Sequence, residues 1–255
     1  MILILSSFVA ASPVGGGAQV VALAKLDVAA VLAPTVLFGR HPGLGAPGGA
    51  AVSAEVFEGV VAGIEAAGAF QGLQAVITGY FASREQIEIA AAAIDRARAA
   101  SPGVRVVVDP IMGDADKGLY VGAAVAAGLA ASLVPRADLI APNAWELQRL
   151  TGCVVADAAG ALAAAREAGR PALVSSVPVA RALVGVLWTD GEEAWLATHR
   201  KAPAAPRGTG DLLTALFTAA LADGAAGPDA LETAVSDVAA EALGTPEDIV
   251  MERLA

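Results

Sequence analysis

Between Arg207 and a long apolar stretch the chain places Gly208, Thr209, Gly210 and Asp211, in the run APRGTGDLLTALF (residues 205–217). The start of a helix leaves backbone N–H groups without partners and carries the positive end of the helix dipole, so anions bind there. Glycines at 208 and 210 let backbone approach a ligand closely, and Thr209 adds a hydroxyl. A carboxylate aimed at an anion is unfavourable unless a proton must be removed beside it, which makes Asp211 a candidate general base. At a helix start it is expected to stay ionised. The stretch DPIMGDADKG (109–118) gathers three more acids and a lysine. Because Mg²⁺ takes one or two carboxylates together with waters and phosphate oxygens, Asp109 and Asp114 are candidate ligands. Asn143 and Glu146, three apart at a helix start, project from one face. Each group also has a purely structural explanation: Asp109 as a turn cap ahead of Pro110, Asn143 and Glu146 as a helix cap, Asp211 as the cap of an ordinary junction, Arg207 as a solvated surface residue. Together they supply an anion cradle, metal ligands and a base, the parts that phosphoryl transfer uses. No Walker A sequence is present, and Gly15, Gly16 and Gly17 are consecutive, so no G-x-G-x-x-G runs through them. A P-loop NTPase is thereby excluded, and a nicotinamide-dependent oxidoreductase is disfavoured.

Such groups need a rigid scaffold, and the pattern of apolar residues predicts one. The runs MILIL, VAAVLAPTVLF, LQAVITGY, VRVVVD, DLIAPN and PALVSS read as strands and alternate with helical stretches. That alternation predicts a single α/β domain over residues 1–255, with a mostly parallel central sheet and helices on both faces. Helices are predicted from about Gly16 to Leu26, from Ser53 with Val56 and Phe57 on its apolar face, and from Ser83, where Gln86 three residues on would complete a capping box. RALVGVLWTDGEEAWLAT predicts a hairpin around Asp190 and Gly191, an antiparallel pair at one sheet edge. The segment HPGLGAPGGA (41–50) reads as a mobile loop over a site. Ligands of open parallel sheets bind beyond the carboxyl ends of the strands, where these loops would converge on one cleft.

Composition narrows the partners. The 255 residues carry a formal charge of −10, and the 16 Lys and Arg are scattered. Nothing resembles the basic stripe that nucleic acid or an anionic membrane would need, which leaves a small-molecule partner. Mean hydropathy is +0.63, but the 56% hydrophobic content is mostly Ala and Val, with only 4% aromatics, as alanine-rich helices give. No charged side chain precedes Lys25, yet Pro13 and Gly15–Gly17 break that apolar run and no Lys or Arg stands before it. A buried first strand fits better than a signal peptide or a spanning helix. One cysteine, Cys153, forms no internal disulfide, and a cytoplasmic protein is expected.

At these residues the chain resembles the pyridoxal kinases of the ribokinase-like superfamily, over nearly its whole length and in the family's order: SFVAASPVGG, TVLFGRH, ITGYFAS, VVDPIMGDADKGLYV, DLIAPNAWEL, EEAW and GTGDLL. The resemblance implies ATP-dependent phosphorylation of the 5′-hydroxymethyl group of pyridoxal, pyridoxine or pyridoxamine. It implies Asp211 as the base and Gly208, Thr209 and Gly210 as the anion hole. Ser7 falls beside the pyridine ring, Thr35 on the threonine of a T-V-x-F segment, Tyr80 on the aromatic of a G-Y turn and His41 at the opening of a flap, all as substrate-binding residues. Asp109, Asn143, Ser175 and Thr209 match nucleotide-binding positions, and Asp114 and Glu146 metal positions. ATP and Mg²⁺ are implied, with a monovalent cation as an optional third, and so is a homodimer. Ser7 as a turn cap, Thr35 as a β-branched strand residue, Tyr80 as core and His41 as loop surface are the structural alternatives. Two departures point to a looser substrate enclosure: Leu44 stands where the flap usually has an aromatic, and Gly16 where asparagine is common. The chain also ends soon after the helices that follow GTGD. A hydroxymethylpyrimidine kinase shares the fold but usually has cysteine in place of Asp211, and a retired ligand-binding relative is the remaining alternative.

Overall fold

The computed structural model describes residues 1–180, 182–204 and 206–255. Arg181, with which the predicted hairpin segment opens, and Ala205, the first residue of the APRGTGD run, lie outside the described residues. One ten-stranded sheet runs through the protein, in the order β12-β11-β10-β9-β8-β5-β4-β1-β2-β3. Six strands form its parallel centre: β1 (Ile2–Val9), β2 (Ala30–Phe38), β4 (Ala75–Thr78), β5 (Arg105–Val108), β8 (Leu139–Ile140) and β9 (Ala172–Val177). They match the six apolar runs read from sequence. Between β1 and β4 the strand order reverses: the chain passes from β1 outward to β2, then crosses back to β4 on the other side of β1. A crevice opens at the carboxyl ends of strands at such a reversal.

Alternation along the strands sorts the core into two layers. Leu3, Leu5, Val76, Val106 and Val108 face α2 (Ala54–Ala66), α3 (Arg84–Ala100), α4 (Ala123–Gly128), α5 (Ala144–Thr151) and α6 (Ala158–Glu167). Ile2, Ile4, Ile77 and Val107 face α1 (Gly15–Lys25), α7 (Thr209–Ala222) and α8 (Gly227–Leu243). Alanines at 90, 93, 97, 161, 164 and 165 are buried, so the alanine excess is what lets helices lie close on a sheet of short strands.

The hairpin β10 (Leu183–Thr189) and β11 (Ala194–Arg200) joins the sheet antiparallel beyond β9, with Trp188 opposite Trp195. Outside it lies a strand absent from the sequence reading, β12 (Val250–Leu254), antiparallel to β11. At the other end, the segment read as a mobile loop is partly regular. Pro42–Leu44 forms a 3-10 turn capped by His41 Nδ1, which accepts from Gly43 N–H at 2.9 Å, and β3 (Gly49–Ala51) pairs antiparallel with β2. Ser53 caps α2 as predicted, accepting from Val56 N–H, and Phe57 is buried, but Val56 is exposed. Ser83 caps α3 by accepting from Gln86 N–H. The reciprocal half of the expected capping box is missing, because the Gln86 side chain turns inward and bonds other backbone groups.

Candidate active site

A cleft of about 430 Å³ lies beyond the carboxyl ends of β1, β4, β5, β8 and β9, roofed by the β2–β3 excursion. On its wall α7 begins. Gly208 caps this helix in the left-handed conformation, φ +90°, and a Cβ there would run into Pro13 O. Only glycine fits. At Gly210 a Cβ would meet no protein atom within 4 Å, and the residue lines the cleft. The space over this backbone is therefore open to a ligand, at the end of a helix where N–H groups and the dipole favour negative charge.

Asp211 stands in the same turn with its carboxylate directed inward. Oδ2 accepts a hydrogen bond from Gly15 N–H at 2.8 Å, while Oδ1 is buried without a partner. Burial pushes the carboxyl up to about 6, opposed by the Gly15 hydrogen bond. The sequence predicts an acid that stays ionised at the helix start; at about 6 it is still mostly ionised at neutral pH, although desolvation outweighs the Gly15 bond. An ionised oxygen without a donor is costly unless something polar arrives, and Asp211 lines the cleft at the start of α7.

The remaining acids come from the loops after β5 and β8. Asp109 is buried, and its Oδ2 accepts from the Thr214 hydroxyl, one turn along α7, at 3.2 Å. Desolvation first, then the charges of Glu146 and Asp211, raise it well above the usual carboxylate range. Glu146 is pushed up to about 7 by burial, against the N–H groups of Asn143, Met112 and Gly113. Those bonds complete a capping box on α5, in which Asn143 Oδ1 accepts from Glu146 N–H while Asn143 Nδ2 donates to Gly113 O. Asp114 is tied to the turn between β6 (Gly113–Asp114) and β7 (Gly118–Leu119), accepting from the N–H groups of Asp116 and Lys117. Its other oxygen faces Lys117 Nζ at 3.4 Å.

Among the described residues, no group of three His, Cys, Asp or Glu side chains stands ready to hold a metal. Asp114 and Glu146, at metal positions by resemblance, accept from main-chain N–H groups through Asp114 Oδ1 and both Glu146 oxygens. Asp109, a candidate Mg²⁺ ligand from the sequence and a nucleotide position by resemblance, accepts from the Thr214 hydroxyl on Oδ2 and has no hydrogen-bond partner on Oδ1 among the described residues. Such a donor set suits Mg²⁺, which needs one or two carboxylates if phosphate oxygens and water complete the shell.

The opposite half of the cleft is more apolar, walled by Val9, Val14, Val36 and Phe38, with Ser7, His41 and Tyr80 at its polar points. Thr35 does not line it. Fully buried, it donates its hydroxyl to Tyr80 O at 2.6 Å, so it holds the Gly79–Tyr80 turn and has no free group for a ligand. Thr209 likewise lies off the cleft wall, with Gly208 and Gly210 on it. Ser175 lines the far end, in a strand bent at Ser176, which takes φ +58°. The reading of Gly16 as a gap in the enclosure is also corrected: a Cβ there would strike Leu32 and Ile4, so the glycine serves the packing of α1 on β1 and β2. Leu44 is exposed on the flap turn and lines nothing.

Several cleft residues escaped assignment. Lys117 and Tyr120 sit within quoted motifs, and Arg207 was left undecided; all three line the cleft. His41 is lowered by partial burial and then by the nearby Arg207 and Lys117 charges, which places three basic groups together at the mouth. Tyr120 is half exposed; its phenol is raised by partial burial and by Glu146, Asp109 and Asp114. Gln19 had no local signal at all: from α1 it donates to Asp211 O at 3.2 Å.

A family model described as phosphomethylpyrimidine kinase matches residues 19–246. The chain is 38% identical over 208 residues to a pyridoxine/pyridoxal/pyridoxamine kinase of Bordetella avium, covering 79% of this chain and 70% of that one. It is 35% identical over 229 residues to the pyridoxal kinase PdxY of Deinococcus radiodurans, covering 85% and 77%. Among solved structures, the pyridoxal kinase of Leishmania donovani in complex with ADP and pyridoxamine has a TM-score of 0.89 at 22% identity, covering 100% of this chain and 99% of that one, a likeness of fold.

Proposed function

The chain belongs to the phosphomethylpyrimidine kinase family, among the pyridoxal kinases of the ribokinase-like superfamily, and we infer that it transfers the γ-phosphoryl group of ATP to the 5′-hydroxymethyl group of pyridoxal and related B6 vitamers. The observation that carries this reading is the Asp211 carboxylate, one oxygen fixed by Gly15 N–H and the other buried without a partner, at the N-terminus of α7 on a cleft wall. An alcohol O–H donating to Oδ1 would satisfy that atom and be aligned for proton loss as its oxygen attacks phosphorus. ADP leaves as the new P–O bond forms. Backbone N–H groups at Gly208–Gly210 face the charge on the transferring group, and Arg207 and Lys117 add positive charge at the mouth. Mg²⁺ would be held through Asp109, supported by Thr214, and would neutralise charge on the nucleotide phosphates.

In the apolar half, Val9, Val36 and Phe38 suit a flat pyridine ring, with Ser7, His41 and the Tyr80 turn at its polar edge. The same reading extends to residues 1–255 as one kinase domain, to a cytoplasmic location and to a homodimer, the last resting on family resemblance and tested by sedimentation. No helix among the described residues is long and apolar enough to cross a membrane.

With ATP and Mg²⁺, pyridoxal should elicit ADP release in a coupled assay. Asp211→Asn should bind nucleotide within about threefold of the unaltered protein yet lose roughly 10²–10⁴ in kcat, the range for a positioned general base. Turnover near the unaltered level would remove Asp211 from this role. The family model's description points to a pyrimidine competitor, and ADP release with hydroxymethylpyrimidine in preference to pyridoxal would reassign the substrate.

A further inference from the structure

Gln86 is fully buried in the first turn of α3 and does not line the cleft, yet its amide is saturated. Nε2 donates to Thr35 O at 2.8 Å and to Val52 O at 2.7 Å, and Oε1 accepts from Ala82 N–H at 2.9 Å. Two carbonyls on one side and an N–H on the other fix the amide's orientation unambiguously. Thr35 and Val52 are the two legs of the β2–β3 excursion, and they also bond each other, Val52 N–H to Thr35 O at 2.9 Å. The segment between them, which carries Val36, Phe38, His41, Pro42 and Gly43 on the cleft roof, starts and ends at that base. Beyond it the flap is also tied to β1 and the turn after it, by the pairing of Leu37 and Phe38 with Phe8 and Val9 and by Ala10 N–H to Phe38 O and Ala11 N–H to Gly39 O, to itself by bonds such as Arg40 N–H to Pro47 O, and to Ser12 Oγ by His41 N–H. From the same base, the Thr35 hydroxyl fixes Tyr80 O, and Tyr80 N–H reaches Ser6 Oγ at 3.3 Å.

We propose that Gln86 is a positioning residue for the phosphoryl acceptor: it clasps both legs of the flap and, through Thr35, registers the Tyr80 turn against it, so that roof and wall of the alcohol-binding half are set together. This rests on the kinase reading for its kinetics and on geometry alone for its effect on the flap. The nucleotide half is built from β5, β8 and α7 and does not depend on the clasp. A side chain of similar length without the amide, Gln86→Met, removes all three bonds and leaves buried backbone groups unpaired. The KM for pyridoxal should rise about tenfold while the KM for ATP stays within about twofold. Trypsin should cut after the exposed Arg40 of the flap about tenfold faster, since cleavage follows the open population. Thr35→Val, which keeps the shape and removes only the bond to Tyr80 O, should raise the pyridoxal KM by a smaller factor.

A lowered Tm with both KM values and Arg40 cleavage unchanged would overturn the proposal, as would parallel rises in both KM values. Should Gln86→Met fail to fold, Thr35→Val decides: an unchanged pyridoxal KM overturns the linkage from flap base to Tyr80. If the unaltered protein shows no turnover with pyridoxal, the kinase reading fails by itself. Arg40 cleavage still tests the clasp, and equal rates in Gln86→Met would overturn it.

Discussion

Asp211 carries opposite consequences for activity and stability. Its carboxyl is pushed up to about 6 by burial against an ordinary value of 3.8, so the folded protein binds that proton more tightly than the unfolded chain does. As proton acceptor the group must be ionised, and kcat/KM for pyridoxal is expected to hold above pH 6 and to fall about tenfold per unit below it. Stability runs the other way: the contribution of the raised acid is complete below pH 3.8 and is lost as pH rises through 6. At pH 7 the buried charge therefore weighs against folding, by about 2 kcal/mol after allowance for the cleft's access to water. Asp211→Asn should melt higher than the unaltered protein at pH 7.5, with the gap closing towards pH 4 while both remain folded. Equal melting temperatures across that range would mean that the carboxylate is as well solvated in the cleft as in the open chain.

The start of α7 separates two uses of glycine within three residues. Gly208→Ala drives a methyl into Pro13 O at a left-handed backbone position, and a loss of about 2 kcal/mol or more is expected in denaturant unfolding. Gly210→Ala meets no protein atom, and alanine favours a helix by up to about 1 kcal/mol over glycine. That variant should be as stable as the unaltered chain or more so, yet lose at least about tenfold in kcat/KM for ATP because the methyl enters the ligand's space. A Gly210→Ala enzyme of full activity would detach this backbone from phosphate. The two glycines look alike in GTGD, and the sequence could announce only that backbone and ligand approach there. Elements governed by local chemistry were legible: the caps at Ser53 and Ser83, the β10–β11 turn, the helix start at α7. Gln86 was legible as a helix-start residue but not as a clasp, because its three partners lie at 35, 52 and 82 and only the folded chain brings them together.

The whole molecule is polarised along its strands. Most cleft residues stem from carboxyl ends of the parallel strands or from the loops, helix starts and flap beside them, and the alternation of apolar runs was enough to anticipate that layout. The strand order was not, nor was β12, whose short exposed sequence pairs with β11 through a register only the hairpin defines. The amino ends of the central strands β5 and β8 line no part of the cleft and should carry stability alone. Asp138, just before β8, tests this: it accepts from Val106 N–H in β5 at 2.8 Å and from Arg98 Nη2, near the end of α3, at 2.9 Å. Its removal in Asp138→Ala leaves the Val106 N–H without its acceptor and frees a helix from the sheet. With the Arg98 pair partly exposed, about 1–2 kcal/mol of unfolding free energy should go, most of it from the backbone bond. The KM values for ATP and pyridoxal and the kcat should stay within about twofold, because β5 and β8 are anchored in the sheet on both sides and their carboxyl ends keep their places. A substantial fall in kcat at unchanged folding would show that Asp109, at the far end of β5, is set by strain transmitted along the strand rather than by Thr214 and the local loop.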